Sequence, residues 1–346
     1  MSIKKHSVKT ECFLRFCIDK QCPLVYYIGI VDFSAIRTLR GYKMNVTEMR
    51  ELLCRIGIEP SDREFIVIAN KVMGEAVAPI AKEYYDSLDQ IMRDGGYKPT
   101  RDFLKRVDAL TAEGYHKYTT ELLFWLYTIP LMKVAYAEKG IPEELLYESM
   151  TDISYKVREC RELYGITGTF CDWFFLFVAL KLFTFGRLQY EIAEFMPEYY
   201  SRAGVELKKG DIVYSCHIPS CGPLTPEMCL DSYKRAYEFF KPQLKSNIMP
   251  IVCHSYLFWP PYIGRVFKEG SNLYKFATSF EKLLEFKTEP FNDCWRVFNH
   301  KWPADTKELP SDTSLRRNFI KYIDEGGEFG NAYVILLFDG ERGEII

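Results

Sequence analysis

"HIPSCGPLTPEMC", residues 217–229, turns a strand into a helix within one short loop. It follows "DIVYSCHI" (211–218), whose alternation sets Ile212, Tyr214, Cys216 and Ile218 on one face and Val213, Ser215 and His217 on the other, the period of a strand. Pro219 stops the strand. Beyond the turn, Thr225 suits an N-cap, Pro226 the first helical position and Glu227 the first turn, where the helix dipole favours a carboxylate. Cys229, Tyr233, Ala236 and Phe240 then recur at helical spacing. A strand, a glycine-bearing loop and a helix N-terminus can hold an anionic group such as a pyrophosphate on free N–H groups. The same layout also serves as a plain chain reversal, with Gly222 giving backbone freedom and His217 a satisfied strand residue.

On either side of this junction the pattern divides the chain. From 44 to 165 it is helical. "MNVTEMRELLCRIG" opens with Asn45 and, three residues on, Glu48, the spacing of a capping box, and stops at Gly57. "PSDREFIVIANKVM", "AVAPIAKEYYDSLDQIMRDGG", "PTRDFLKRVDALTA", the apolar run 121–137 and "PEELLYESMTDISYKVRECRELYG" repeat the theme, most opening at Pro or a small polar residue and closing at Gly. After Gly165 and Gly168 one more apolar helix is expected over about 169–182. Strand-like runs follow: "LQYEIAEF", "DIVYSCHI", "NIMPIVCHS", "CWRVFNH" and "AYVILLF". The expected architecture is α+β, with a helical domain over 44–165 and a mixed α/β domain over 166–346. Residues 1–43 form an N-terminal extension belonging to neither, and no internal repeat is visible.

Composition fits that division. A chain of 346 residues exceeds the ~100–150 of an ordinary domain, and a hydrophobic content of 48% is that of a packed globular protein. The net charge of −2, with both signs mixed along the chain, leaves no basic stripe for a nucleic-acid backbone. Eleven cysteines without paired spacing read as reduced thiols in a cytoplasmic protein. Cys12, Cys17 and Cys22 lack the spacing of a zinc site, so no metal is expected. The opening "MSIKKHSVKTECFLRF" carries charges where a signal peptide is apolar. The runs 121–137 and 170–185 are shorter than the ~20 residues of a membrane span, and each carries charge, so both are expected to be buried core.

"CHIPSCGPLTPEMC" (216–229) resembles the HIP-x-GGPLTP signature of a family of bacterial acyltransferase-domain proteins. That family pairs a helical N-terminal domain with a C-terminal domain of GNAT-like (N-acyltransferase) fold. "FTFGRLQYE" (183–191), "VCHSYLFWP" (252–260), "GSNLYKF" (270–276) and "LPSDTSLRRNFIKYIDEGGEFGNAYVILLF" (309–338) are similar to further family motifs in the same order, so the resemblance spans roughly 44–338. The chain departs from the pattern at Cys221, where the family has Gly, and at Arg316, where Gln is frequent.

The resemblance implies direct acyl transfer from acyl-CoA, or a related thioester, to a small amine-type acceptor. In GNAT-type folds two neighbouring parallel strands splay and the thioester lies in the gap. Here those strands would be 211–218 and 248–254, with Ser220, Cys221, Gly222, Leu224 and Thr225 as the phosphate and pantetheine loop. The Q/R-x-x-G-x-G/A loop of the wider superfamily is absent. His217 and His254, at the ends of the two strands, become candidate bases because imidazole titrates near neutral pH, and Tyr274 the candidate proton donor to the leaving thiolate. Arg187 and Gln189 would bind an acceptor carboxylate or amide. Each residue also has a packing role open to it. Two alternatives stand beside this reading: a covalent enzyme using Cys221 or Cys229, whose thiol a helix N-terminus would acidify, and a non-enzymatic sensor keeping the cleft to bind a metabolite. The sequence assigns no oligomeric state.

Overall fold

The computed structural model describes residues 43–289, 291–302 and 305–346. The extension before residue 43, with Cys12, Cys17 and Cys22, lies outside the described residues.

Among the described residues seven helices come first: α1 Val46–Arg55, α2 Pro60–Asp86, α3 Leu88–Arg93, α4 Tyr97–Asp108, α5 Lys117–Glu138, α6 Glu143–Met150 and α7 Asp152–Tyr164. The capping box at α1 forms as the spacing predicts. Asn45 Oδ1 accepts from the Thr47 and Glu48 amides at 2.9 and 3.0 Å, and the Glu48 carboxylate accepts from the Asn45 amide at 2.8 Å. The two helices expected over 60–94 are instead one long helix running through Pro79, followed by the short α3. Proline there costs one backbone hydrogen bond, which the buried face of α2 offsets: Val77, Ala78 and Ala81 beside it are in the core. The α5 run from Leu122 to Leu126 is buried all round, as a helix without a polar face must be. Tyr84 of α2 meets Phe103, Phe124 and Trp125 edge-on with centroids 5.1 to 5.7 Å apart.

The helix expected over 169–182 does not form. Its residues make an irregular buried connection with a single turn, α8 Phe175–Val178, closed by Leu180 in the left-handed region (φ 53°). The apolar run is held from several sides by tertiary packing, so no helical periodicity is needed to bury it. Gly168 lets this connection cross α5, since a Cβ there would lie 2.5 Å from the Tyr118 carbonyl carbon.

The second half is built on strands β1 Leu182–Phe185, β2 Leu188–Glu194, β5 Ile212–His217, β6 Ile248–Ser255, β7 Glu281–Lys287, β8 Gly330–Asp339 and β9 Glu344–Ile345. The sheet order is β1-β2-β5-β6-β8-β7, with β9 on β8; a hairpin of β3 Tyr199–Arg202 and β4 Val205–Lys208 stands apart. Helices α9 Pro226–Phe240, α10 Asn272–Thr278, α11 Cys294–Phe298 and α12 Ser314–Asp324 complete it. "CWRVFNH" is therefore a helical turn rather than a strand: the Asp293 carboxylate pairs with Arg296 at 2.8 Å and its carbonyl accepts the Arg296 amide. Asn299 closes the turn at φ 51°.

The sheet has two apolar faces. One, with Leu188, Tyr190, Tyr214, Cys216 and Cys253, joins α9 and the helical half in a single core. The other, with Val213, Val252, Tyr333 and Ile335, is covered by Phe195, Tyr200 and Leu207 of the β3–β4 region. The helical half is pinned to the sheet edge by α6. Its Ser149 Oγ accepts the Thr184 amide at 3.0 Å, and Glu148 accepts the Gly186 amide at 2.8 Å while pairing with Arg235 of α9 at 2.5 Å.

Candidate active site

Strands β5 and β6 are the parallel neighbours in the sheet, and they pair only at Tyr214–Ile251 and Ser215–Val252. Each then continues along its outer partner, β5 to His217 opposite Gln189 and β6 to Ser255 opposite Ala332. The two strands therefore part beyond Ser215 and Val252. In the opening, the Cys253 thiol donates to the Cys216 carbonyl at 3.0 Å, a side chain doing what the ladder no longer does. His217 and His254 occupy corresponding positions on the two parted strands and share the face of Val213 and Val252. The pair expected at 211–218 and 248–254 is thus the splayed pair of the sheet.

The surroundings of the two histidines differ. His217 Nε2 lies 2.9 Å from Glu191 Oε2 of β2, and the His217 side chain is 41% exposed. A carboxylate can only accept, so it fixes the proton on Nε2 and turns the Nδ1 lone pair outward; no described residue hydrogen-bonds Nδ1. Glu191 was not foreseen from the sequence, although it repeats Gln189 at the two-residue spacing of one strand face. His254 is half-buried, its Nε2 on Asn331 Oδ1 and its ring 5.0 Å from that of Phe286. Burial pushes its imidazole below the usual range, opposed by the Asn331 bond and by the Asp293 charge.

The loop after β5 is clamped from within. Arg187, 5% exposed, donates through Nε to the Pro223 carbonyl at 3.0 Å, through Nη1 to Pro219 at 2.9 Å and through Nη2 to Gly222 at 2.8 Å. Three of the five guanidinium N–H groups of Arg187 are thus engaged by the loop. Gln189 is also buried, with Nε2 unpartnered among the described residues, as is Oδ1 of the buried Asp152 of α7. Ser220 is tied to the helical half, its hydroxyl donating to Glu159 and its carbonyl accepting from Arg158, both on α7. The Pro219, Ser220 and Pro223 carbonyls turn toward guanidinium groups, so the amides of Ser220, Cys221 and Leu224 on the same peptide planes point the other way; neither these nor the Gly222 amide donates to a described residue. Gly222 sits at φ 125°, a conformation that favours glycine.

Thr225 caps α9 as predicted, its Oγ accepting the Met228 amide at 3.3 Å. Leu224 is 5% exposed and packs in the core. Cys221 is partly exposed and borders an open cleft of about 490 Å³ with Tyr155, Arg187 and Glu227. Cys229 is buried and its thiol pushed up to about 12 by that burial, the opposite of the acidified nucleophile the covalent alternative requires. Tyr274, on α10, packs at the edge of the core that contains Cys216 and Cys253, whereas His217 and His254 face the other way. The eight described cysteines are all free, no described group of His, Cys, Asp or Glu could hold a metal, and no described helix is long and apolar enough to cross a membrane.

Comparison with known proteins matches residues 47–180 to the N-acyltransferase N-terminal domain and residues 182–336 to the GNAT-like C-terminal domain. No curated protein matches the chain. Solved acyltransferase structures share the fold, among them the following three. An acyltransferase in complex with decanoyl-CoA and teicoplanin is 23% identical with a TM-score of 0.66, over 85% of this chain and 89% of its own. An acyltransferase in complex with CoA and 10C-teicoplanin gives 22% and 0.64, over 83% and 87%. An acyltransferase in complex with decanoyl-CoA gives 24% and 0.63, over 85% and 88%.

Proposed function

The chain belongs to the acyltransferases that join an N-acyltransferase N-terminal domain to a GNAT-like C-terminal domain, and from that premise we propose that it moves an acyl group from acyl-CoA directly to an amine acceptor. The observation that carries the proposal is the parting of β5 from β6 with a histidine–glutamate pair at its mouth. Acyl-CoA as the donor is supported by the structural neighbours that carry CoA and decanoyl-CoA. The amides of Ser220, Cys221, Gly222 and Leu224, at the head of α9, suit the pyrophosphate and pantetheine of such a donor. Thr225 contributes as the cap that sets that helix start.

In this reading the acceptor nitrogen attacks the thioester carbonyl carbon, forming the C–N bond as the C–S bond breaks. The nitrogen's extra proton passes to His217 Nδ1. Glu191 keeps Nε2 protonated before the transfer and stabilises the imidazolium after it. The departing thiolate takes a proton from Tyr274 or from water. His254 is the second candidate base, and Gln189 a candidate contact for the acceptor.

The test is release of free CoA thiol from acyl-CoA donors of increasing chain length against a panel of amines. For His217→Gln, acyl-CoA binding and melting should stay near wild type. Turnover should fall ~10²- to 10⁴-fold, the range for loss of a general base, and the acid limb of the pH profile should vanish because no imidazole remains to protonate. Full activity with a lowered melting temperature would make His217 structural and move the test to His254. Binding without turnover across the whole panel would favour the sensor.

A further inference from the structure

The helical half reaches the active site through one face of α7. Asp152, Lys156 and Glu159 follow one another at the i, i+4 and i, i+3 spacings that stack side chains on a helix, and all three turn toward the sheet. Lys156 is 8% exposed, its Nζ bonded to both oxygens of Glu159 at 3.1 and 3.0 Å. Glu159 in turn accepts the Ser220 hydroxyl, and Arg158 reaches the Ser220 carbonyl. On the other side of the lysine, Asp152 is 2% exposed and interacts with Gln189, the residue opposite His217 in the β2–β5 register.

Such an arrangement is a poor way to gain stability. Taking an ammonium and two carboxylates out of water costs several kcal/mol per ion, and apolar side chains of the same volume often serve the fold as well. What an ion pair adds is direction. Lys156 holds Glu159 in one orientation, and Glu159 is what Ser220 binds. The loop is therefore held from beneath by Arg187 on its own domain and from the side by α7 of the other.

We propose that Lys156 is a positioning residue, through which the helical domain fixes the 219–223 loop in the shape that receives the acyl donor. The proposal rests on the acyl-transfer reading only for the identity of that donor. Without Lys156, Glu159 turns to solvent and Ser220 loses its anchor.

The experiment compares Lys156→Met, Glu159→Ala and Lys156→Arg in the full chain, well below their melting temperatures. Two quantities are read: the iodoacetamide labelling rate of Cys221, followed by peptide mass spectrometry, and the KM for decanoyl-CoA against kcat. Cys221 is the loop's own reporter, its Sγ lying against the Arg187 carbonyl at 3.8 Å. K156M and E159A should each label about tenfold faster and raise KM about tenfold, with kcat changed much less, the scale on which loosened positioning acts. K156R should keep both near wild type. E159A, which removes the carboxylate that Ser220 binds and leaves the lysine in place, decides the matter should K156M fail to fold. Unchanged labelling in the folded variants would overturn the proposal, since a purely structural lysine lowers only the melting temperature. Faster labelling with unchanged KM would overturn it as well, because the loop would not be the donor's. Faster labelling in a protein that binds no acyl-CoA even as wild type would keep the positioning role and sink the acyl-transfer reading instead.

Discussion

Arg187 offers the sharpest perturbation, because its three hydrogen bonds all end on carbonyls of one loop. Arg187→Lys keeps the charge but replaces a planar fork by a single ammonium, which can serve one of the three carbonyls well. Two charged hydrogen bonds are then lost, each worth ~1.5–3 kcal/mol. The loop can recover part of this by turning those carbonyls to water, so the net loss should fall near ~2–3 kcal/mol. At ~2.1 cal/mol/K of unfolding entropy per residue, a chain of 346 residues loses roughly 1.4 °C of melting temperature per kcal/mol, which gives a drop of about 3–4 °C in R187K and more in Arg187→Met. The same release frees the loop amides to turn, so acyl-CoA binding should weaken about tenfold or more by calorimetry. R187M that melts with the wild type and binds acyl-CoA equally would refute the clamp. R187M that melts normally but loses only its affinity for a carboxylate-bearing acceptor would restore Arg187 to the acceptor site.

Three further outcomes follow from the same loop. At Gly222 an added Cβ meets nothing within 4 Å, so only backbone strain acts: Gly222→Ala should cost ~1–3 kcal/mol and keep part of the acyl-CoA-induced rise in melting temperature, while Gly222→Asp should abolish it. Equal effects would show that charge at the loop is irrelevant. Glu227 sits at the N-terminus of α9 with its carboxyl held below the usual range by its own backbone amide and by Thr225, so it is ionised at neutral pH where a pyrophosphate would approach. Glu227→Gln should therefore tighten acyl-CoA binding roughly two- to fivefold at low salt and lose that gain at high salt, and weaker binding would place the phosphates elsewhere. The buried Cys229 thiol should resist iodoacetamide at neutral pH while the exposed Cys54 reacts, and Cys229→Ala should stay active; a rapidly labelled, essential Cys229 would reinstate covalent chemistry.

The fold was legible wherever the burden of burial fell on one face or one cap. Asn45 and Glu48 name the start of α1 because their contacts are three residues apart, and β2, β5, β6 and β8 read as strands because their apolar residues face fixed layers. It failed where tertiary packing replaced periodicity. Residues 170–178 carry aromatic side chains on every side, which a helix and an irregular buried segment satisfy equally well, and only Leu180 at positive φ ends the ambiguity. The break expected at Gly74 and Glu75, between the two helical runs, does not occur: Gly74 serves close packing inside α2, where a Cβ would lie 2.6 Å from the Tyr127 hydroxyl.

At the site, the residues named in advance came from the quoted motifs, His217 through Thr225 together with Arg187, Gln189, His254 and Tyr274, and the residues missed were the partners of His217 and Ser220 across the chain. Glu191 lies 26 positions from His217, and Glu159 61 positions from Ser220; no local pattern couples such pairs. One signal was nevertheless present. Gln189 and Glu191 are polar residues two apart in an otherwise apolar strand, and alternation assigns both to the face of Ser215 and His217 once β2 lies beside β5. A polar stripe on one face of a buried strand, meeting a histidine at the end of the next, has to be paired or solvated. The structure pairs it at His217 through Glu191 and sets Gln189 against the buried Asp152.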